Sequence, residues 1–143
     1  YRLVYNWFIE QAKKYAITLI TYDPANAYRL VQDLRGYGGE EWTRFVRQGA
    51  LTLSPALKDI KELLLDGRVI FNQNKLFRWY LNNVKLVDDR NGNWLPTKQN
   101  RYRKIDGFAA WLNAHTETMK LMVQAHESGG GVGFISVKDL LGR

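Results

Sequence analysis

Residues 16–22 read Ala-Ile-Thr-Leu-Ile-Thr-Tyr, an apolar and β-branched run that stops at Asp23 and Pro24. Such a run predicts a buried strand, and its continuous apolar character favours parallel pairing. Upstream, apolar residues recur at spacings of three and four between residues 3 and 15, which predicts an amphipathic helix. A helix that leads into a buried parallel strand is typical of an α/β domain.

Predicted helices and strands alternate along the rest of the chain. Asp23-Pro24 and Ser54-Pro55 each predict a helix start, because Pro suits the first helical position and Asp or Ser suits the cap before it. We therefore expect helices over 24–35 and 55–66, and a glycine loop after the first. Further helices are expected over 74–81 and 107–123, strands over 41–47, 68–71 and 84–87, and a hairpin turn over 89–93, where Asn-Gly is a strong turn signal.

The composition excludes several classes of site. The 143 residues suffice for one domain, and none is cysteine, which excludes disulfides, thiolate metal sites and a cysteine nucleophile. Two histidines make a multi-histidine zinc site unexpected. The chain contains neither the P-loop pattern of nucleotide hydrolases nor G-x-S-x-G. No apolar run is long enough to cross a bilayer, so no membrane partner is expected.

Two acidic residues stand out by position. Asp23 follows the apolar strand at its carboxyl end, where open α/β sheets place ligands, and Asp106 opens the last long helix. A pair of carboxylates from distant parts of a chain can hold Mg²⁺ or Mn²⁺, because these hard cations prefer oxygen ligands. Either residue could instead serve only as an ordinary helix cap.

Positive charge is concentrated in the second half of the chain. The net charge is +7, and residues 68–104 carry nine Lys or Arg against two Asp. A basic surface concentrates polyanions such as DNA. Arg101, Arg103 and Lys104 directly precede Asp106 and could hold phosphates beside a metal, although a charge run is often only a solvated loop.

Several short stretches, in order, make residues 4–123 resemble the C-terminal nuclease domain of phage terminase large subunits. They are Ile-Thr-Leu-Ile-Thr-Tyr-Asp-Pro at 17–24, Val-Arg-Gln-Gly at 46–49, Leu-Ser-Pro-Ala-Leu-Lys at 53–58, Glu-Leu-Leu-Leu-Asp-Gly-Arg at 62–68, Leu-Phe-Arg-Trp at 76–79, Asn-Asn-Val at 82–84 and Lys-Ile-Asp-Gly-Phe-Ala-Ala at 104–110. The resemblance implies a ribonuclease-H-like α/β fold with a small mixed sheet flanked by helices.

It also implies a function. Proteins of this family use acidic residues and Mg²⁺ or Mn²⁺ to cut concatemeric double-stranded phage DNA during genome packaging. By position, Asp23 and Asp106 resemble two of those acids. The implied partners are DNA, the terminase small subunit and the capsid portal, and the implied compartment is the cytoplasm of the bacterial host.

The chain departs from the family pattern at its start. The family's first acid lies on a strand upstream of the helix that opens this chain, and the chain begins at Tyr1. We therefore expect residues 1–127 to be an incomplete nuclease domain with little activity alone, and residues 128–143 to be a Gly-rich linker and tail. The competing hypotheses are a non-catalytic DNA-binding or assembly module and an α/β domain without activity of its own.

Overall fold

A computed structural model describes residues 1–127, apart from the side chain of His126. In chain order the elements are α1 (Arg2–Lys14), β1 (Ile20–Tyr22), α2 (Tyr28–Gly38), a 3₁₀ turn (Glu40–Trp42), β2 (Thr43–Phe45), α3 (Ala50–Leu65), α4 (Lys75–Asn83), β3 (Val84–Asp88), β4 (Trp94–Lys98) and α5 (Asp106–Glu127). The predicted linker and tail at 128–143 lie outside the described residues. Among residues 1–127, no helix is long and apolar enough to cross a membrane.

The strands form two separate pairs. β1 and β2 are parallel, with Ile20 opposite Thr43 and Tyr22 opposite Phe45, whereas β3 and β4 form an antiparallel hairpin. The α/β class and the parallel pairing of β1 are confirmed, but the buried strand predicted at 16–22 forms only at Ile20–Tyr22, where Ile20 alone is buried. Parallel and antiparallel strands are both present, as expected of a mixed arrangement, but over residues 1–127 they do not join into one sheet.

Two hydrophobic clusters hold the described residues together. The larger joins α3 to α5 and contains Val46, Leu53, Ala56, Leu57, Ile60, Phe108 and Leu112. The smaller contains Ile20, Leu34 and Trp42, and partly buried residues of α1 pack against it. Because α5 also packs against β1, this helix contacts both halves of the fold.

The predicted start of α2 is wrong. The helix begins at Tyr28 rather than at Pro24, and Asp23 does not cap it. Asn26 has a positive φ of 59°, so the backbone turns sharply before the helix can begin. The helix also continues through Gly36 to Gly38, because burial of Val31 and Leu34 stabilises it against the low helix propensity of glycine.

The predicted start of α3 is also wrong. The helix begins at Ala50 and contains Pro55, which costs one backbone hydrogen bond near its first turns. Ser54 is buried inside the helix, and its hydroxyl accepts a hydrogen bond from the Trp94 amide at 3.0 Å. The residue that looked like a cap therefore links α3 to β4.

The other boundaries differ less. The strand predicted at 41–47 is confirmed only at Thr43–Phe45, and the strand predicted at 68–71 is wrong, since no strand forms there. The helix at α4 is confirmed, with the Asn74 side chain accepting from the Phe77 amide as its cap. The hairpin and the last helix are confirmed as well.

Candidate functional site

Asp23 lies exposed in the loop that follows β1. Its Oδ1 accepts a hydrogen bond from the Ala25 amide at 2.9 Å, which closes a local turn. The short parallel strand brings this carboxylate to the carboxyl edge of the β1–β2 pair, where the sequence predicted it. The turn uses one oxygen, so the other can still serve as a ligand.

Asp106 is the first residue of α5 and is also exposed. A carboxylate in the first turn is favoured by the positive end of the helix dipole. The next residue, Gly107, packs under the ring of Tyr80 from α4: a Cβ at Gly107 would lie 2.4 Å from Cδ2 of that ring. This close approach of α4 fixes the start of α5, and with it the position of Asp106.

The direction of the chain points β1, which leads into Asp23, toward the end of α5 that carries Asp106. Arg44 of β2 pairs with Glu117 of α5, and Gln48 donates a hydrogen bond to Asn113 of α5. From Arg44 to Gln48 the chain advances by four residues, while their partners on α5 go back by four. β2 therefore runs antiparallel to α5, and so does β1, its parallel partner. The carboxyl end of β1 therefore points toward the amino end of α5, which is a necessary condition for Asp23 and Asp106 to share a ligand.

Asp106 lies beyond the level of the strands. It precedes Asn113 by seven residues, which corresponds to about 10 Å along the helix axis. Among residues 1–127, no group of three or more His, Cys, Asp or Glu side chains is placed to hold a metal ion. The candidate site in the described residues therefore consists of two acids.

The predicted basic residues lie on the loop between β4 and α5. Arg101, Arg103 and Lys104 are all exposed. Buried Asn83 fixes the end of this loop: its Nδ2 donates to the Lys104 carbonyl at 2.8 Å, and its Oδ1 accepts from Arg103 Nη1 at 3.4 Å. Arg101 instead contacts the neighbouring Tyr102 through a hydrogen bond and its ring face. Asn83 therefore holds the backbone of the loop at Lys104 and the guanidinium of Arg103, directly before Asp106 in the chain.

The sequence reasoning missed a polar seam between β2 and α5. Glu117 is 2% exposed and accepts from Arg44 at 3.2 Å and from Lys120. The sequence signal for this seam is the spacing of four residues between Asn113 and Glu117 on the predicted last helix; their burial is seen only in the structure. His115 is mostly buried, with 15% of its side chain exposed, and it contacts Asp59 and Trp111.

The site is an exposed basic loop that leads directly into an acid at the start of α5, on an α/β fold. The family described as "Terminase large subunit, endonuclease domain" matches residues 3–121. Because this match spans most of the chain, the protein belongs to that family, and the resemblance stated above is confirmed.

A solved structure supports the fold. The chain is similar to the large terminase of bacteriophage HK97, with a TM-score of 0.70 over 80% of this chain at 22% sequence identity. The match covers 24% of that protein, so the chain spans about a quarter of its length. No curated protein sequence matches the chain.

Proposed function

We propose that this chain is part of a divalent-metal-dependent endonuclease that cuts concatemeric phage DNA during genome packaging. Family membership supports the activity, and the single structural observation that supports the site is the direction of β1, which leads into Asp23 and points toward the end of α5 that carries Asp106. Such an enzyme would act in the cytoplasm of the bacterial host, with the terminase small subunit and the capsid portal as protein partners.

The two carboxylates fit Mg²⁺ or Mn²⁺ as ligands. Both are exposed, both offer oxygen donors, and the Asp23 turn leaves one oxygen uncommitted. Divalent ions held there would supply water activation and charge stabilisation at the leaving oxygen of a phosphodiester. The residues of this chain would orient the ions through Asp23 and Asp106.

The basic loop would position the DNA. Asn83 holds the Arg103 guanidinium and the backbone carbonyl of Lys104 just before Asp106 in the chain, and the exposed Lys104 side chain adds a second positive charge there. Arg and Lys contacts to phosphates fix the register of a duplex without reading its sequence. Arg101 would add a contact at the outer end of the same loop.

Plasmid cleavage tests the proposal. The chain, alone and within a terminase large subunit that carries it, is incubated with supercoiled plasmid and Mg²⁺ or Mn²⁺. We expect the large subunit to nick and linearise the plasmid, and Asp23→Ala and Asp106→Ala each to lower the rate by more than about 100-fold, since even outer-shell partners of metal ligands matter by about 10- to 100-fold.

Asp33→Ala is the matched control, because Asp33 is an exposed acid on α2. It should cut like the unmodified protein. If the large subunit leaves the plasmid intact, or if the Asp23 and Asp106 variants cut as fast as the control, the proposed function is wrong. DNA binding without cutting would favour the non-catalytic binding module instead.

A further inference from the structure

A second basic surface lies away from the loop that precedes Asp106. A cavity of about 380 Å³ opens between β2, the start of α3 and α5, and its lining consists of Arg44, Phe45, Arg47, Thr52, Glu117 and Lys120. Three of these side chains are cationic and one is anionic, so the cavity carries an excess of positive charge. None of the cations belongs to the basic segment 68–104.

Buried Glu117 fixes two of the three cations. Its Oε2 accepts from Arg44 Nη1 and its Oε1 accepts from Lys120 Nζ. The Arg44 and Lys120 side chains nevertheless remain 40% and 53% exposed. A cation that is already held in place loses less conformational entropy when an anion binds, so this pairing prepares the surface for a ligand.

Arg47 supplies charge that is not neutralised. It is exposed and, within residues 1–127, forms no ion pair. Its guanidinium can therefore bind an oxyanion without breaking an internal contact. Planar guanidinium groups match phosphate geometry through paired N–H donors.

We propose that the cavity lined by Arg44, Arg47 and Lys120 is a phosphate-backbone contact for duplex DNA, separate from the Arg101–Lys104 loop. This inference rests on the proposed function, because it takes DNA as the substrate. Glu117 lies eleven residues after Asp106, about 16 Å along α5. That distance corresponds to roughly five base pairs of B-DNA, so one duplex can reach both places.

Binding of a fluorescent duplex of about 20 base pairs tests the inference. The 143-residue chain is titrated in EDTA, which prevents cutting, over a series of salt concentrations. We expect Arg47→Ala to weaken binding by about 5- to 10-fold near 0.1 M salt and to lower the slope of log K against log salt by about 1, the loss of one phosphate contact. Lys120→Met should act in the same direction and keep the Arg44–Glu117 pair.

Arg29→Ala is the matched control. Arg29 is an exposed cation on α2 that lines a different surface, with Tyr1 and Arg2. It should change the affinity less than 2-fold, and unchanged circular dichroism and melting temperature should show that each variant is folded. The inference is wrong if Arg47→Ala and Lys120→Met bind DNA as the control does. It is also wrong if they lose binding of inorganic phosphate but not of the duplex.

The two proposals fail separately. If Asp23→Ala and Asp106→Ala abolish cutting while Arg47→Ala binds DNA normally, the nuclease site stands and the second contact does not. If Arg47→Ala weakens binding while both acids are dispensable for cutting, the second contact stands and the proposed site does not.

Discussion

Glu117 is an ionisable side chain in the interior, with 2% of its surface exposed. A buried carboxylate needs a partner, because the loss of hydration is costly unless opposite charge or hydrogen bonds replace the water. Arg44 and Lys120 supply that compensation from β2 and from the next turn of α5. The ion cluster therefore ties the parallel strand pair to the last helix.

Glu117→Ala should destabilise the fold by about 2–3 kcal/mol. The loss of a buried ion-pair partner costs about 3–5 kcal/mol when the remaining charge is trapped, and here both cations can partly reach water, which reduces the penalty. Urea unfolding, monitored by tryptophan fluorescence, measures the change. Glu62→Ala, an exposed glutamate on α3, should stay within about 0.5 kcal/mol. Equal effects of the two substitutions would contradict a stabilising role for the cluster.

At the scale of the elements, local signals predicted some boundaries and failed at others. The Asn-Gly turn predicted the hairpin, because such a turn depends on local backbone preferences. The apolar run at residues 16–22 predicted a parallel strand, which forms only over its last three residues, Ile20–Tyr22. Pro24 and Pro55 misled, because proline marks a helix start only when nothing else decides the boundary. The start of α3 depends instead on the burial of Leu53 and Ser54 against distant elements, and no local sequence pattern indicates those contacts.

In the candidate site, too, local features could be predicted from the sequence and long-range contacts could not. The strand that ends just before Asp23 and the helix that starts at Asp106 could be predicted, since each position adjoins a recognisable element. The relative direction of this strand and this helix could not be predicted, because it depends on the antiparallel packing of β2 and α5 through Arg44 and Gln48. Asn83, which anchors the basic loop from 20 residues away, gave no local signal either.

The β3–β4 hairpin depends on an acid in its turn. Asp89 accepts from the amides of Asn91 and Asn93 and from the Asn93 side chain, each at 2.8 or 2.9 Å. The Asn93 side-chain hydrogen bond, followed by the backbone bonds, holds the pKa of Asp89 below its ordinary value. The ionised form is therefore the form that the folded turn favours.

The hairpin should loosen in acid. Folding lowers the pKa of Asp89, so ionised Asp89 stabilises the folded turn. This stabilisation is fully present above the pKa of an unfolded Asp, near 3.9, and it is lost as the pH falls through the lower pKa of the folded state. Amide exchange and chemical shifts of Asn91 and Asn93, followed by NMR from pH 6 downward, measure this loss. Asp89→Ala should remove that pH dependence. The prediction is wrong if the amide exchange of this turn depends on pH equally in the unmodified protein and in the Asp89→Ala variant.

At the scale of the whole molecule, stability is divided unevenly between the two hydrophobic clusters. The α3–α5 cluster contains seven buried residues, whereas α1 has none and contributes only partly buried side chains to the smaller cluster. Leu3 and Trp7 of α1 are 86% and 57% exposed. A helix held by so little buried area opens at a lower free energy than the core.

Native-state hydrogen exchange should therefore separate α1 from the core. We expect the amides of α1 to exchange through a local opening, at a free energy well below that of the most protected amides of α3 and α5. Leu57→Ala, which leaves a cavity in the α3–α5 cluster, should lower the protection of α3 and α5 by about 2–5 kcal/mol and leave the exchange of α1 nearly unchanged. If α1 is as strongly protected as α5, or loses protection in parallel with it, the described residues unfold as one unit and the division is wrong.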